Sequence, residues 1–491
     1  MLHISKISNR CYSYLGLLSV AILGVASIVG SGGGGSNGGT PPGGRVTEFP
    51  RYAFVANRGD DSVSSYVVDA ATGRLKFIGK VTAGNEPASV AVDPSGSYAY
   101  VANFNLAGPG TVSQYTIESD GSLTAMTTPT VATGTQPASV TVDPTAKYAY
   151  VANSNSGDVS AYEIDPGTGA LAQILCVGGA PACSGDNFAA GATPRSVTVD
   201  PSGKYVYVAN QVTNDISQFT IEADGSLTAM TPATVAAGTE PWFVTVDPTG
   251  KYVYVANSGT TTVAQYSIGA TGGLAAIGSD IAGASPRSAA VHPSGIYAYV
   301  ANSGSDDVAQ FTIKVDGTFE AMVVPKVEAG DEPFAIIVDP SGRYVYVANQ
   351  GSDSISQFAV FVGGRLVPIA PASVATQSGP ISLAMTGGSA PVQAVPKYAY
   401  VANSGTTTVS QFTIGADGSL TPMATPAVLA GTSPASVTVD PSGKYAYVAN
   451  SGTTTVSQFA IGADGRLTLM TTPAVLAGTS PASVTTTGTW Q

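Results

Sequence analysis

One phrase governs what this chain can fold into. Tyr-x-(Tyr/Phe)-Val-Ala-Asn occurs nine times, with its Asn at positions 57, 103, 153, 210, 257, 302, 349, 403 and 450. Successive copies lie 45 to 57 residues apart. A unit of that size cannot bury an apolar face alone, so neighbouring units must stack on one another.

Residues 434–470 show the unit clearly, as PASVTVDPSGKYAYVANSGTTTVSQFAIGADGRLTLM. A first strand over 435–439 ends in Asp440-Pro441-Ser442-Gly443. Pro fixes φ at the second position of that turn and Gly accepts a positive φ. A second strand over 444–449 carries the Tyr and Val residues and closes on Asn450-Ser451-Gly452. A third spans 455–461, Ala463-Asp464-Gly465 is a hairpin signal, and a fourth starts at Arg466. Four short strands per unit, joined by tight turns and repeated many times, predict an all-β fold, a β-propeller of four-stranded blades. Composition agrees: only 11% of residues are charged, and Gly (58) and Pro (32) abound while strong helix formers are scarce. A helical bundle is excluded. At 44% hydrophobic residues, so is bulk disorder.

The expected propeller occupies residues 51–488 as a single ring of nine repeats. The body begins with a second strand, Arg51-Tyr52-Ala53-Phe54-Val55, and Pro481-Ala482-Ser483-Val484-Thr485 is an isolated first strand that could close the first blade. An alternative comes from a seam at 387–397. There the strand Pro380-Ile381-Ser382-Leu383-Ala384-Met385-Thr386 lacks its Asp-Pro turn, and Pro396-Lys397-Tyr398 resembles Pro50-Arg51-Tyr52. A seven-bladed ring would then be followed by two appended units. Two loose blades would leave strand edges unpaired, which favours nine.

Ahead of the repeats, Lys6 and Arg10 precede an apolar run from Leu15 to Val29. Residues 1–30 read as a secretory signal peptide, too short for a comfortable membrane span, and 31–50 read as a Gly-rich tether. Ile28-Val29-Gly30-Ser31 has the pattern of a bacterial lipidation site with Ser in place of the acceptor Cys, so no lipid is expected. The predicted destination is the periplasm, cell surface or extracellular space, with no membrane span once the signal is removed. In an exported chain, Cys176 and Cys183 suggest a local disulfide. Net charge is −12, which argues against nucleic-acid partners.

The Tyr-Val-x-Asn phrase resembles the YVTN repeat, and more widely the chain resembles the lactonase-like propellers, which include 6-phosphogluconolactonases and carboxymuconate cyclases. The resemblance covers the whole repeat region and implies a propeller, with lactone hydrolysis or cyclisation as its activity. Enzymes of that group carry Gly-Pro-Arg-His on an inner strand. The nearest phrases here are Thr193-Pro194-Arg195-Ser196 and Ser285-Pro286-Arg287-Ser288, with Ser in place of His.

Because the units share one backbone, positions that vary among them mark individual function. Variation is greatest beside the Pro that opens each first strand. First strands line the central channel of a propeller, so Arg195, Trp242, Arg287 and Phe334 should come from four consecutive blades and meet at one channel mouth. Together with Glu332 they form a predicted ligand site. Two guanidinium groups flanking an aromatic plane suit a small anionic or sugar-like ligand. The competing arrangement pairs Arg195 and Arg287 with Glu240 and Glu332 and seals the mouth. His292 holds the turn position that is Asp in most units, which reads as structural. Asp60-Asp61, Asp306-Asp307 and Asp353 lie in loops without a spaced calcium-loop pattern, and Arg58-Gly59-Asp60 reads as turn composition. No cofactor or metal signature is present. The reading is an exported binding or scaffold module of the cell envelope, with a protein or small ligand as partner. The alternative is a lactone hydrolase or cyclase, with Arg195, Arg287 and Glu240 as candidate catalytic residues and Glu240 as base. A third reading is a structural surface protein.

Overall fold

The computed structural model describes residues 49–484, except 107, 178–181, 389–396, 415–418 and 441–442. The predicted signal peptide and most of the tether, including Cys11, lie outside these residues, as does most of the seam. Regular structure among the described residues is all β-strand.

Nine sheets form, one around each copy of the repeated phrase. Blades 1 to 9 are numbered here by that strand: Phe49–Asn57, Tyr98–Asn103, Tyr148–Asn153, Tyr205–Asn210, Tyr252–Asn257, Tyr297–Asn302, Tyr344–Asn349, Tyr398–Asn403 and Tyr445–Asn450. The first strand starts at Phe49, two residues inside the expected tether, because Phe49 and Pro50 pair with Gly388 and Gly387.

That pairing decides the ring. Blade 1 takes its inner strand from Pro380–Gly388, antiparallel to Phe49–Asn57, so closure is made at the seam and not by the C-terminal segment. The expected nine-bladed ring gives way to seven blades plus two. The propeller and its four-stranded blade stand; only the closing partner changes. The physical reason is local: Pro380–Gly388 lacks the Asp-Pro turn that would lead it into its own second strand, so it remains available to an earlier one.

The repeated phrase works between blades. The first Tyr covers the hairpin Gly of the next blade, where any Cβ would meet the ring: Tyr98 lies against Gly169, and Tyr344 against Gly73. Both glycines have φ near 70°. The second Tyr donates its hydroxyl proton to the carbonyl of that glycine, as in Tyr100 to Gly169 O (2.7 Å) and Tyr346 to Gly73 O (2.6 Å). A Gln on the third strand accepts the N–H of the next blade's fourth strand, as in Leu171 N to Gln114 Oε1 (2.7 Å). Across the closure, Leu75 N reaches Gln357 Oε1 at the same 2.7 Å. The junction between blades 7 and 1 therefore carries the same bonds as the interior junctions. The Asn serves its own blade by donating to a third-strand hydroxyl, as Asn103 does to Ser113 Oγ at 2.9 Å.

Inner strands are pinned by hydroxyls. Ser89, Ser139, Ser196 and Ser288 each accept the N–H of the next inner strand at 3.2 to 3.3 Å. Ser382 does so across the closure, from Val90 N at 3.1 Å.

Blades 8 and 9 pack together by the same rules, through Tyr400 to Gly465 O and Leu467 N to Gln411 Oε1, both 2.6 Å. Among the described residues, blade 8 has three strands and no inner one. Blade 3 is enlarged by a hairpin of Cys183–Ser184 and Asn187–Ala189, and a disulfide joins Cys176 to Cys183 with Cα atoms 5.7 Å apart. Among the described residues, no helix is long and apolar enough to cross a membrane.

Candidate functional site

Each ring blade presents the start of its inner strand at one channel mouth. The residue before the opening Pro is held at φ close to 50°, as at Glu86, Glu240 and Glu332. A non-glycine residue tolerates this region at some cost, and hydrogen bonds compensate. The N–H groups of Glu86, Glu240 and Glu332 donate to Asp61, Asn214 and Asp306 of the preceding blade at 2.7, 2.7 and 2.8 Å. The loop carboxylates of Asp61 and Asp306 therefore brace the mouth. Asp60 and Asp307 accept Lys80 and Lys326 at 3.0 and 2.8 Å.

Arg195, Trp242, Arg287 and Phe334 meet as the sequence predicts. The Arg195 and Arg287 guanidinium carbons lie 4.6 and 4.0 Å from the Trp242 ring centroid. Phe334 meets Trp242 edge-on at 5.9 Å, and Arg287 lies 5.7 Å from the Phe334 centroid. Trp242 thus receives a cation from each neighbouring blade, a contact worth about 0.5–2 kcal/mol. Each Nε is fixed within its own blade, Arg195 to Gln211 Oε1 at 2.7 Å and Arg287 to Ser303 Oγ at 3.2 Å. Arg195, Trp242, Arg287 and Phe334 line a cavity of about 100 Å³ together with Ser89, Ser139 and Ile381. That is room for several waters.

The sealed arrangement is not adopted: among the described residues, neither Arg195 nor Arg287 has a carboxylate oxygen within 4.0 Å. Burial pulls both guanidinium groups below their ordinary range. For Arg195 the cations of Arg58 and Arg287 add to the effect, and Glu240 opposes it. For Arg287, Glu240 and Glu332 oppose it. Both groups remain charged at neutral pH. Glu240 thus acts on both cations through space without neutralising either by contact.

Arg58 belongs to this mouth and was read only as part of a turn. It stacks on Phe104 at 4.6 Å and pairs with Glu86 at 3.4 Å. A second comparison among units would have found it. The residue after the repeated Asn is Arg58, Phe104, Ser154, Gln211, Ser258, Ser303 and Gln350 around the ring, nearly as varied as the residue after the opening Pro.

Other candidates resolve into structure. Ser196 and Ser288, at the position of the family's His, are spent as inter-blade acceptors. His292 lies in its turn, with Nε2 2.8 Å from Gly342 O and Nδ1 2.7 Å from Ser294 Oγ. A carbonyl can only accept, so Nε2 carries the proton.

A channel mouth ringed by seven inner strands, with a cation–aromatic stack on one side, defines a seven-bladed β-propeller. The chain belongs to the family described as lactonase, seven-bladed β-propeller, whose model matches residues 45–107, 107–288, 243–387 and 392–487. No curated protein sequence matches it. Among solved structures it is similar to a proposed 6-phosphogluconolactonase from Bacteroides fragilis (21% identity, TM-score 0.59), covering 70% of this chain and 100% of that one. A periplasmic gluconolactonase from Pseudomonas aeruginosa is 19% identical with TM-score 0.57, covering 69% and 99%. These likenesses establish the fold. The share of this chain that they cover is what the seven-bladed ring alone would fill.

Proposed function

We propose that the protein is an exported hydrolase of sugar lactones, working at the Arg195–Trp242–Arg287 mouth. The family and its neighbours support this alternative better than a scaffold role. The observation that carries it is a pair of arginines that line one cavity, with no carboxylate in contact among the described residues. Such a pair would bind a lactone carbonyl and stabilise the negative oxygen that forms when water adds to it. Glu240, close enough to act on both cations, would accept the proton of the attacking water. Collapse of the adduct then breaks the ring C–O bond. The proton passes to the leaving alkoxide, giving a hydroxy acid whose carboxylate the same two Arg residues can hold. Export is supported by the signal-like residues 1–30 and by the periplasmic location of the Pseudomonas neighbour.

The test is hydrolysis of a panel including 6-phosphogluconolactone and glucono-1,5-lactone, with Arg195→Ala and Arg287→Ala in parallel. Turnover above the spontaneous rate should fall about 10²-fold in each variant. Turnover indifferent to both Arg residues would refute this site. No turnover on any lactone would refute the activity.

A further inference from the structure

Blades 8 and 9 form an arc with complementary unfilled ends. At the leading end, among the described residues, no inner strand pairs with Tyr398–Asn403, unlike the matching strand of every ring blade. Its Val401 is 44% exposed, whereas the matching Val101, Val151, Val208, Val255, Val300 and Val347 are each 0% exposed. Leu420 on the same blade is 52% exposed, against 3–9% for its ring counterparts. At the trailing end, Tyr445 is 39% exposed, and among the described residues no N–H is bonded to Gln458 Oε1, the atom that in most ring blades accepts from the next blade. Beyond it, Pro481-Ala482-Ser483-Val484 repeats the inner-strand sequence of Pro87–Val92, Pro137–Val142 and Pro434–Val439. It is paired with no strand among the described residues.

In the ring, the strand that leaves one blade becomes the inner strand of the next. Blade 8 is denied that strand because Pro380–Gly388 is used to close the ring on blade 1. The arc therefore holds an acceptor edge at one end and a matching donor strand at the other, two blades apart. Neither can satisfy the other within the chain without abandoning the packing of blade 8 on blade 9.

We propose that copies of this chain assemble head to tail through these arcs. Pro481–Val484 of one copy adds to Tyr398–Asn403 of the next, and blade 9 of the first packs on blade 8 of the second. The register follows the intact blade 9, where Pro434, Ser436 and Val437 oppose Asn450, Ala449 and Val448. Pro481, Ser483 and Val484 accordingly oppose Asn403, Ala402 and Val401 of the neighbour. Gln458 accepts the neighbour's Leu420 N–H. This is strand addition to an open edge, with side-chain pockets fixing the register. Because the interface is heterologous, it closes when the rotation permits. Three copies would make a six-bladed ring of arcs and four would make eight, both within the range of about four to eight blades.

The experiment is sedimentation of the full chain, wild type and Val484→Asp. Val484 is half-buried, on a segment paired with no strand among the described residues, so the substitution removes no strand pairing within a blade. The wild type should sediment as a small multiple of the chain mass and the variant as a monomer. A monomeric wild type, or an assembly indifferent to Val484→Asp, would overturn the proposal. A second arm fixes the register, in a Cys11→Ser background. Val401→Cys and Val484→Cys chains, mixed under oxidising conditions, should form a disulfide-linked dimer that neither forms alone. Cross-linking inside a single chain carrying both substitutions, with no dimer from the mixture, would show closure within the molecule and refute exchange.

Discussion

At the scale of single residues, the chain divides its unusual side chains between structure and chemistry. Arg195 and Arg287 each stack on Trp242 and make one side-chain hydrogen bond among the described residues. Glu240→Gln keeps its shape and loses the proposed base. The expected outcome is a loss of turnover of about 10²-fold or more with little change in KM, measured on whichever lactone is hydrolysed. His292 is the opposite case. Most other units place Asp there, and Asp143 accepts N–H bonds from Thr145, Lys147 and Tyr148 in the same turn. His292→Asp should therefore leave lactone turnover unchanged and the thermal midpoint equal or higher. A collapse of turnover would contradict this structural role for His292. The mouth was legible because repeated units supply their own comparison, so Arg195, Trp242, Arg287 and Phe334 stood out against a constant frame. Arg58 is less legible because it follows the repeated Asn at the end of the second strand, inside a turn-like Arg-Gly-Asp phrase, and not the Pro that opens a first strand.

At the scale of the blade, stability resides in bonds between neighbours. Gln357→Ala removes the acceptor of the buried Leu75 N–H at the ring closure. An unsatisfied buried donor costs about 1–3 kcal/mol, and chemical denaturation should show a loss of that size. The inter-blade tyrosines add a pH dependence. Burial raises Tyr66 and Tyr266 to about 12 and pushes Tyr100, Tyr150, Tyr207, Tyr254 and Tyr299 up as well. A folded-state pKa above the unfolded value means the folded chain holds protons that the unfolded chain releases. That stability is fully present below the unfolded value of about 10 and is lost as pH rises through the folded values. The melting temperature should fall steeply above pH 10, with tyrosinate absorbance appearing together with unfolding. Ionisation of the great majority of the tyrosines at pH 10–11 in a chain that still melts at its neutral-pH temperature would contradict this placement of the tyrosines. Turns and strands of the blade were readable from Asp-Pro, Asp-Gly and the Tyr-Val alternation. The roles of Gln and of the second Tyr were not, because both act across blades and local pattern carries no inter-blade register.

For the whole molecule, seven and nine blades differ by the partner of one strand. Every repeat is well formed, so the sequence contains material for either ring. The deciding signal, the missing Asp-Pro turn after Pro380–Gly388, was visible but had to be weighed against the edges that two extra blades leave open. The structure accepts those open edges on blades 8 and 9. The ring should then be independent of them. A chain stopped at Gly388 retains all seven blades and the whole mouth. The most direct measurement is therefore the lactone turnover of that shortened chain beside the full one and the Arg287→Ala variant. The account predicts equal turnover per ring in the first two and its loss in the third. A shortened chain that folds but is inactive while the full chain turns over, or activity that survives Arg287→Ala, would contradict it.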